Sequence, residues 1–131
     1  AIQDFVGTKL GKDLIHGYKR AYNILVAEQN KDGVEYSLEP KRDLLQEDSE
    51  LALYTHLMEI NDKIINDLKR DKVPDVLENL SILREPIDDF FNNVKINTES
   101  PMVRRNRLFL LNQIKTVMHR VADFSKIDGD L

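Results

Sequence analysis

The stretch SELALYTHLMEINDKIINDL, Ser49 to Leu68, decides the fold class. Leu53, Leu57, Ile60, Ile64 and Leu68 recur at spacings of three and four, with Tyr54, Met58 and Ile65 beside them. That period is helical and places one apolar stripe along the segment. Asp48 or Ser49 is the expected cap, since a side-chain oxygen there can accept a backbone N–H left free by the first turn. A lone amphipathic helix gains little stability in water, so other elements must cover the stripe.

The flanking sequence supplies them. Upstream, Leu10, Leu14, Tyr18, Ala21 and Leu25 repeat the pattern in a helix expected from about Asp4 or Thr8 to Gln29, closed by the turn Asn30-Lys31-Asp32-Gly33. Lys12, His16, Lys19, Arg20 and Asn23 fall on its opposite side. Residues 34 to 47 read as a polar connection containing Pro40. Downstream, Pro74 suits the first turn of a third helix with Val73, Val76, Leu77, Leu80 and Leu83 inward. Pro86 breaks it and opens a short fourth helix to Val94, which buries Ile87, Phe90, Phe91 and Val94. Ser100 caps a fifth, expected to reach about Phe124 with Leu110, Leu111, Ile114, Val117, Met118 and Val121 inward, before a polar tail from Ser125. One-sided helices joined by short links bury their faces against one another, so the fold expected is an all-α helical bundle of about five helices. The 131 residues suffice for one domain spanning 1–131, and the absence of an initiator methionine suggests a fragment of a longer subunit.

Composition removes several functions. There is no cysteine, hence no disulfide framework, thiolate zinc site or cysteine nucleophile, and a reducing cytoplasm is the simplest compartment. No membrane span or signal peptide is seen, and the sequon Asn79-Leu80-Ser81 reads as chance. His16, His56 and His119 lie on three different helices. His56 and Glu59 share a face, but the di-metal bundle pattern needs a second such pair, which is missing. Asp88 and Asp89 diverge on a helix and suit the dipole of a first turn after Pro86. Without a phosphate-cradling glycine loop or a nucleophile elbow, no catalytic site, metal site or cofactor is expected in this chain.

Charge is more informative. The net charge is −4, yet residues 1–30 carry four basic against three acidic side chains and residues 101–131 six against three, so both ends are basic and the middle is acidic. Arg104, Arg105 and Arg107 crowd the start of the fifth helix, where the dipole already presents positive charge. Such a cluster calls for a negative partner. Arginine forks pair with phosphates and base edges, and free N–H groups near Met102 to Arg105 add to an anion site. Lys115, His119 and Arg120 continue that helix, while Arg84 and Arg107 are also placed to brace helix packing through carbonyls or Asp88.

The blocks Ser81-Ile-Leu-Arg-Glu-Pro-Ile-Asp-Asp-Phe-Phe-Asn-Asn-Val94, Arg104-Arg-Asn-Arg-Leu-Phe-Leu-Leu111, Arg120-Val-Ala-Asp-Phe-Ser125 and Gly17-Tyr-Lys-Arg-Ala-Tyr-Asn-Ile-Leu25 occur in family order over nearly the whole chain. Together they resemble the C-terminal, DALR-type anticodon-binding region of the β subunit of bacterial glycyl-tRNA synthetase. Departures are Asn92, where the family usually has Asp, and the lack of a literal D-A-L-R, for which Ile82 to Glu85 is the nearest match. The resemblance implies the helical anticodon-binding domain type of class I-like synthetases, bound to the anticodon end of glycine tRNA. It also implies an α subunit that holds the class II core and uses ATP and magnesium, leaving this fragment non-catalytic. Lys19, Arg20, Arg104, Arg105 and Arg107 would hold phosphates or bases, with Asn23 and Asn106 as polar readers. The alternative is a helical protein-interaction or scaffold module without RNA binding.

Overall fold

The computed structural model describes residues 2–122. Its helices are α1 (Ile2–Gly7), α2 (Lys9–Asp32), α3 (Asp48–Lys69), α4 (Val73–Ser81), α5 (Arg84–Asn93) and α6 (Pro101–His119), with a 3-10 turn at Arg42–Leu44. The described residues contain no strand. The five expected helices are present, and α1 is an additional short piece. Thr8 separates it from α2: its hydroxyl donates to Phe5 O at 2.7 Å and accepts from Gly11 N at 3.0 Å. Any side chain at residue 11 would collide with Phe5, since a Cβ there would stand 2.0 Å from its carbonyl oxygen.

Helix α6 is central and packs on α2 and α3, while α4 and α5 close the bundle against α3 and α2. The core holds Leu14, Tyr18, Leu25, Leu53, Leu57, Ile60, Ile64, Leu80, Ile87, Phe90, Leu110, Leu111 and Ile114, all at most 2 % exposed. The stripes of α2 and α3 therefore meet as expected, except at their ends. Leu10 and Leu68 were expected inward but are each 41 % exposed, and each stands one residue in from the end of its helix.

Boundaries differ in informative ways. Gly33 adopts φ 69°, the left-handed conformation in which glycine closes a helix, and its N–H bonds back to Gln29 O, so α2 runs three residues past Gln29. Glu47, not Asp48 or Ser49, is the N-cap position of α3. Pro86 does not open α5. It sits in the first turn, where a helix has no partner for a backbone N–H, so the missing donor costs nothing and α5 begins at Arg84. The first-turn acid is thus Glu85, and the dipole role expected of Asp88 and Asp89 falls to it. Helix α6 ends at His119, where Arg120 N and Val121 N turn to carbonyls three residues back, instead of continuing to Phe124. Phe124 itself and the tail from Ser125 lie outside the described residues.

One buried ion pair ties three segments together. Glu50, fully buried, presents Oε1 to Gln46 N (3.1 Å), Glu47 N (2.9 Å) and Arg107 Nη2 (2.9 Å). Arg107, 6 % exposed, also donates Nη1 to Lys95 O at 2.6 Å. Asn106, 1 % exposed, clasps the α2–α3 connection by accepting from Lys41 N (2.7 Å) and donating to Lys41 O (3.0 Å). Removing one partner of a buried pair leaves the other charge uncompensated, which costs about 3–5 kcal/mol. Arg107→Ala is therefore expected to lose about that much in urea or thermal unfolding, while Arg105→Ala at the exposed neighbouring position stays within about 0.5 kcal/mol of the parent.

Candidate nucleic-acid interface

The start of α6 finds its negative partners within the same chain. Arg104 Nη2 lies 2.8 Å from Asp32 Oδ2 and 3.3 Å from Glu28 Oε1. Its Nε donates to Asn97 Oδ1 at 2.9 Å, and its Nη1 reaches the Tyr36 hydroxyl at 3.3 Å. These contacts raise the Arg104 pKa above its ordinary value, the bond to Asp32 contributing most. Tyr36 was hidden in a connection read as polar. It is buried with its ring edge on Phe109, donates its hydroxyl to Asp32 at 2.7 Å, and so completes the Arg104 site. An isolated tyrosine among polar residues carries no period by which to recognise it.

Of the seven residues expected at an RNA-facing surface, Asn106 and Arg107 are inside and bonded to the protein, and Arg104 is partly buried in its acidic clasp. Arg105 is exposed, its guanidinium 5.2 Å from the Phe109 ring centroid. Arg20 and Asn23 are exposed on α2, and Lys19 is half-buried beside them. Arg104 meets Glu28 and Asp32 in the last turns of α2, about 12 and about 18 Å along the helix from Arg20 at about 1.5 Å per residue.

The exposed side of α2 extends the basic surface beyond the expected residues. Lys9, Lys12, His16, Arg20, Asn23, Asn30 and Lys31 are all exposed, and the one exposed acid on this helix, Asp32, is occupied by Arg104. Lys12 and His16 had been placed on this face, whose surplus of basic over acidic side chains emerges once buried Glu28 and Asp32, held by Arg104, are subtracted, which leaves the half-buried Asp13. The later basic residues of α6 contribute less. His119 Nε2 is 2.5 Å from the Tyr18 hydroxyl, and Arg120 Nε donates to Asn61 Oδ1 at 2.5 Å.

Opposite this stripe's centre, Arg20 lies over Phe91 at 4.5 Å from the ring centroid. Phe91 was expected in the core; it is half-buried at its margin instead, its edge meeting Phe90 and its ring under Arg20 of α2. Arg84 pairs with Asp88 at 3.6 Å, a surface contact one helical turn apart. Burial raises the Asp88 pKa, partly opposed by Arg84. No group of three or more His, Cys, Asp or Glu side chains among the described residues is arranged to hold a metal ion. His56 Nδ1 instead lies 2.7 Å from Ala52 O in its own helix. No helix among the described residues is long and apolar enough to cross a membrane.

A helical bundle with a basic helix face invites comparison with tRNA-binding modules. Residues 14–128 match the model of the DALR anticodon binding domain, and the chain belongs to that family. Among its relatives are proteins named glycine–tRNA ligase β subunit. That of Ruegeria sp. (strain TM1040) is 39 % identical over 129 residues, and those of Cereibacter sphaeroides (strain ATCC 17029 / ATH 2.4.9) and Paracoccus denitrificans (strain Pd 1222) are 37 % and 36 % identical over the same length. In each case the match covers 98 % of this chain but only 18–19 % of the relative, so the chain spans about a fifth of their length.

The Asp32 clasp makes a pH prediction. The Tyr36 hydroxyl first and Arg104 second hold the Asp32 carboxyl below its ordinary 3.8. Its stabilising contribution is then fully present above that value and is lost as pH falls through the lower folded one. Asp32→Asn should lower Tm at neutral pH, and the gap from the parent should close as melting is repeated at pH values descending below 3.8.

Proposed function

We infer that this chain is the anticodon-binding part of a cytoplasmic glycine–tRNA ligase β subunit. In that assembly an α subunit would activate glycine with ATP and magnesium, and this bundle would supply affinity for the anticodon end of glycine tRNA without catalysing a step. The observation that carries the reading is the exposed face of α2, where Lys9, Lys12, Arg20 and Lys31 stand with the half-buried Asp13 as the one acid among them, on a protein of net charge −4. Local concentration of one sign attracts a polyanion despite an acidic total.

The residues divide by burial into two roles. Lys12, Arg20, Lys31 and Arg105 face the RNA, with Lys19 and Asn23 beside them. Arg104, Asn106 and Arg107 hold the start of α6 against α2, α3 and the connection between them, which positions Arg105. Single-stranded loop bases can be splayed out and stacked on aromatic or guanidinium planes, so a surface carrying both suits an anticodon loop better than a duplex.

The test is the salt dependence of glycine tRNA binding by the full-length protein. Binding should weaken linearly in log–log form, and Lys12→Ala or Arg105→Ala should each reduce the slope by roughly one unit. Asn106→Ala should instead lower Tm and leave the slope unchanged. A flat salt response with no preference for glycine tRNA would favour the scaffold alternative.

A further inference from the structure

Asp32-Gly33 is the one Asp–Gly pair among the described residues. It stands where α2 ends, with Gly33 left-handed at φ 69° and open space where a side chain would be. Such a pair is the aspartyl bond most prone to rearrange, because no side chain hinders the glycine nitrogen from attacking the preceding carboxyl carbon. The new bond joins Gly33 N to Asp32 Cγ and closes a five-membered succinimide, while the amide proton and the carboxyl hydroxyl leave as water. Hydrolysis of the ring at the former backbone carbonyl gives isoaspartate, in which the chain runs through the side-chain carbon; hydrolysis at the other carbonyl restores aspartate. An open hollow of about 360 Å³ lined by Gln29, Gly33 and Val34 admits the water this needs.

Both reacting groups are already engaged. The nucleophile, Gly33 N–H, donates to Gln29 O at 2.8 Å. The electrophile, the Asp32 carboxyl, accepts at Oδ2 from the Tyr36 hydroxyl at 2.7 Å and from Arg104 Nη2 at 2.8 Å. These two bonds keep it ionised, and a carboxylate is a poor electrophile with no hydroxyl to lose. The chain beyond is tied down as well, since Val34 N reaches Gln29 O at 3.3 Å and Tyr36 N reaches Gln29 Oε1 at 3.0 Å. Ring closure therefore requires the end of α2 to open locally, and the strength of these contacts sets how often it does.

We propose that Asp32-Gly33 is a site of isoaspartate formation in this protein and that Tyr36 and Arg104 control its rate. Conversion lengthens the main chain by a methylene between the two residues and moves the free carboxylate onto Cα. The cap at Gly33 and the ion pair with Arg104 are then lost together. Arg104 retains Glu28 as its acidic partner, and the start of α6 loses its tie to the last residue of α2.

The experiment follows isoaspartate in the full-length protein held at neutral pH and physiological temperature, with peptide mapping to locate it and an isoaspartate-specific methyltransferase to count it. In concentrated urea the parent, Tyr36→Phe and Arg104→Ala should convert at one common rate, faster than the folded parent. When folded, Tyr36→Phe and Arg104→Ala should each convert about tenfold faster than the parent, the population change expected when a locally opening segment loses one hydrogen bond to a charged group. Tyr36→Phe keeps the ring on Phe109 and so removes the hydroxyl alone. Leu80→Ala, in the core on α4, lowers global stability without touching the clasp and should stay near the parent rate. Acceleration by Leu80→Ala equal to that of the clasp variants, or folded clasp variants no faster than the parent, would overturn the control by Tyr36 and Arg104. Absence of isoaspartate at residue 32 even in urea would overturn the site itself.

Discussion

Glu50 is wholly buried, and a carboxylate removed from water costs several kcal/mol unless N–H groups and a cation replace its hydration. Here two backbone N–H groups at the start of α3 and the Arg107 guanidinium meet the same oxygen. The arrangement satisfies donors that any helix leaves open in its first turn, so the cap of α3 depends on a side chain from α6. Arg107 also reaches the Lys95 carbonyl, which fixes the approach to α6. Three segments distant in sequence are thus held in one register. The pairing is incomplete, since Glu50 Oε2 and Arg107 Nε have no partner among the described residues, and its value lies more in specifying one arrangement than in adding stability.

With α6 anchored in that way, the crowding of arginine at its start has a structural explanation. Arg107 answers Glu50, Arg104 answers Glu28 and Asp32, and only Arg105 is left to solvent. The planar guanidinium suits these positions, because it bonds several acceptors at once and tolerates burial better than a compact ammonium. Arg104 alone touches Asp32, Glu28, Asn97 and Tyr36. The acids that offset α6 come from the buried or occupied side of α2 and the first turn of α3. Their consumption leaves the outer side of α2 more basic than the composition indicates.

Helix α2 consequently serves on two sides. Leu14, Tyr18, Ala21 and Leu25 line the core, while Lys12, His16, Arg20 and Asn23 look outward. Gly17 lies between these sides and permits α5 to approach closely enough for Arg20 to cover Phe91.

The all-α class, the five main helices and most of the core followed from the sequence, because a 3.6-residue period over segments of this length leaves few ways to bury an apolar stripe. The four blocks in family order pointed to the same anticodon-binding family that residues 14–128 match. The division of the arginines did not follow. Arg104, Arg105 and Arg107 are alike in a linear reading, and only their long-range neighbours, Asp32 and Glu50 above all, separate the clasped and buried ones from the exposed one. The place of Tyr36 in the Arg104 site and the contact of Arg20 with Phe91 were equally invisible, since each depends on residues from separate helices and connections coming together. Local periodicity determines which face of a helix is apolar; which charges remain free is decided by the tertiary structure, because it chooses the opposite charge that each one meets.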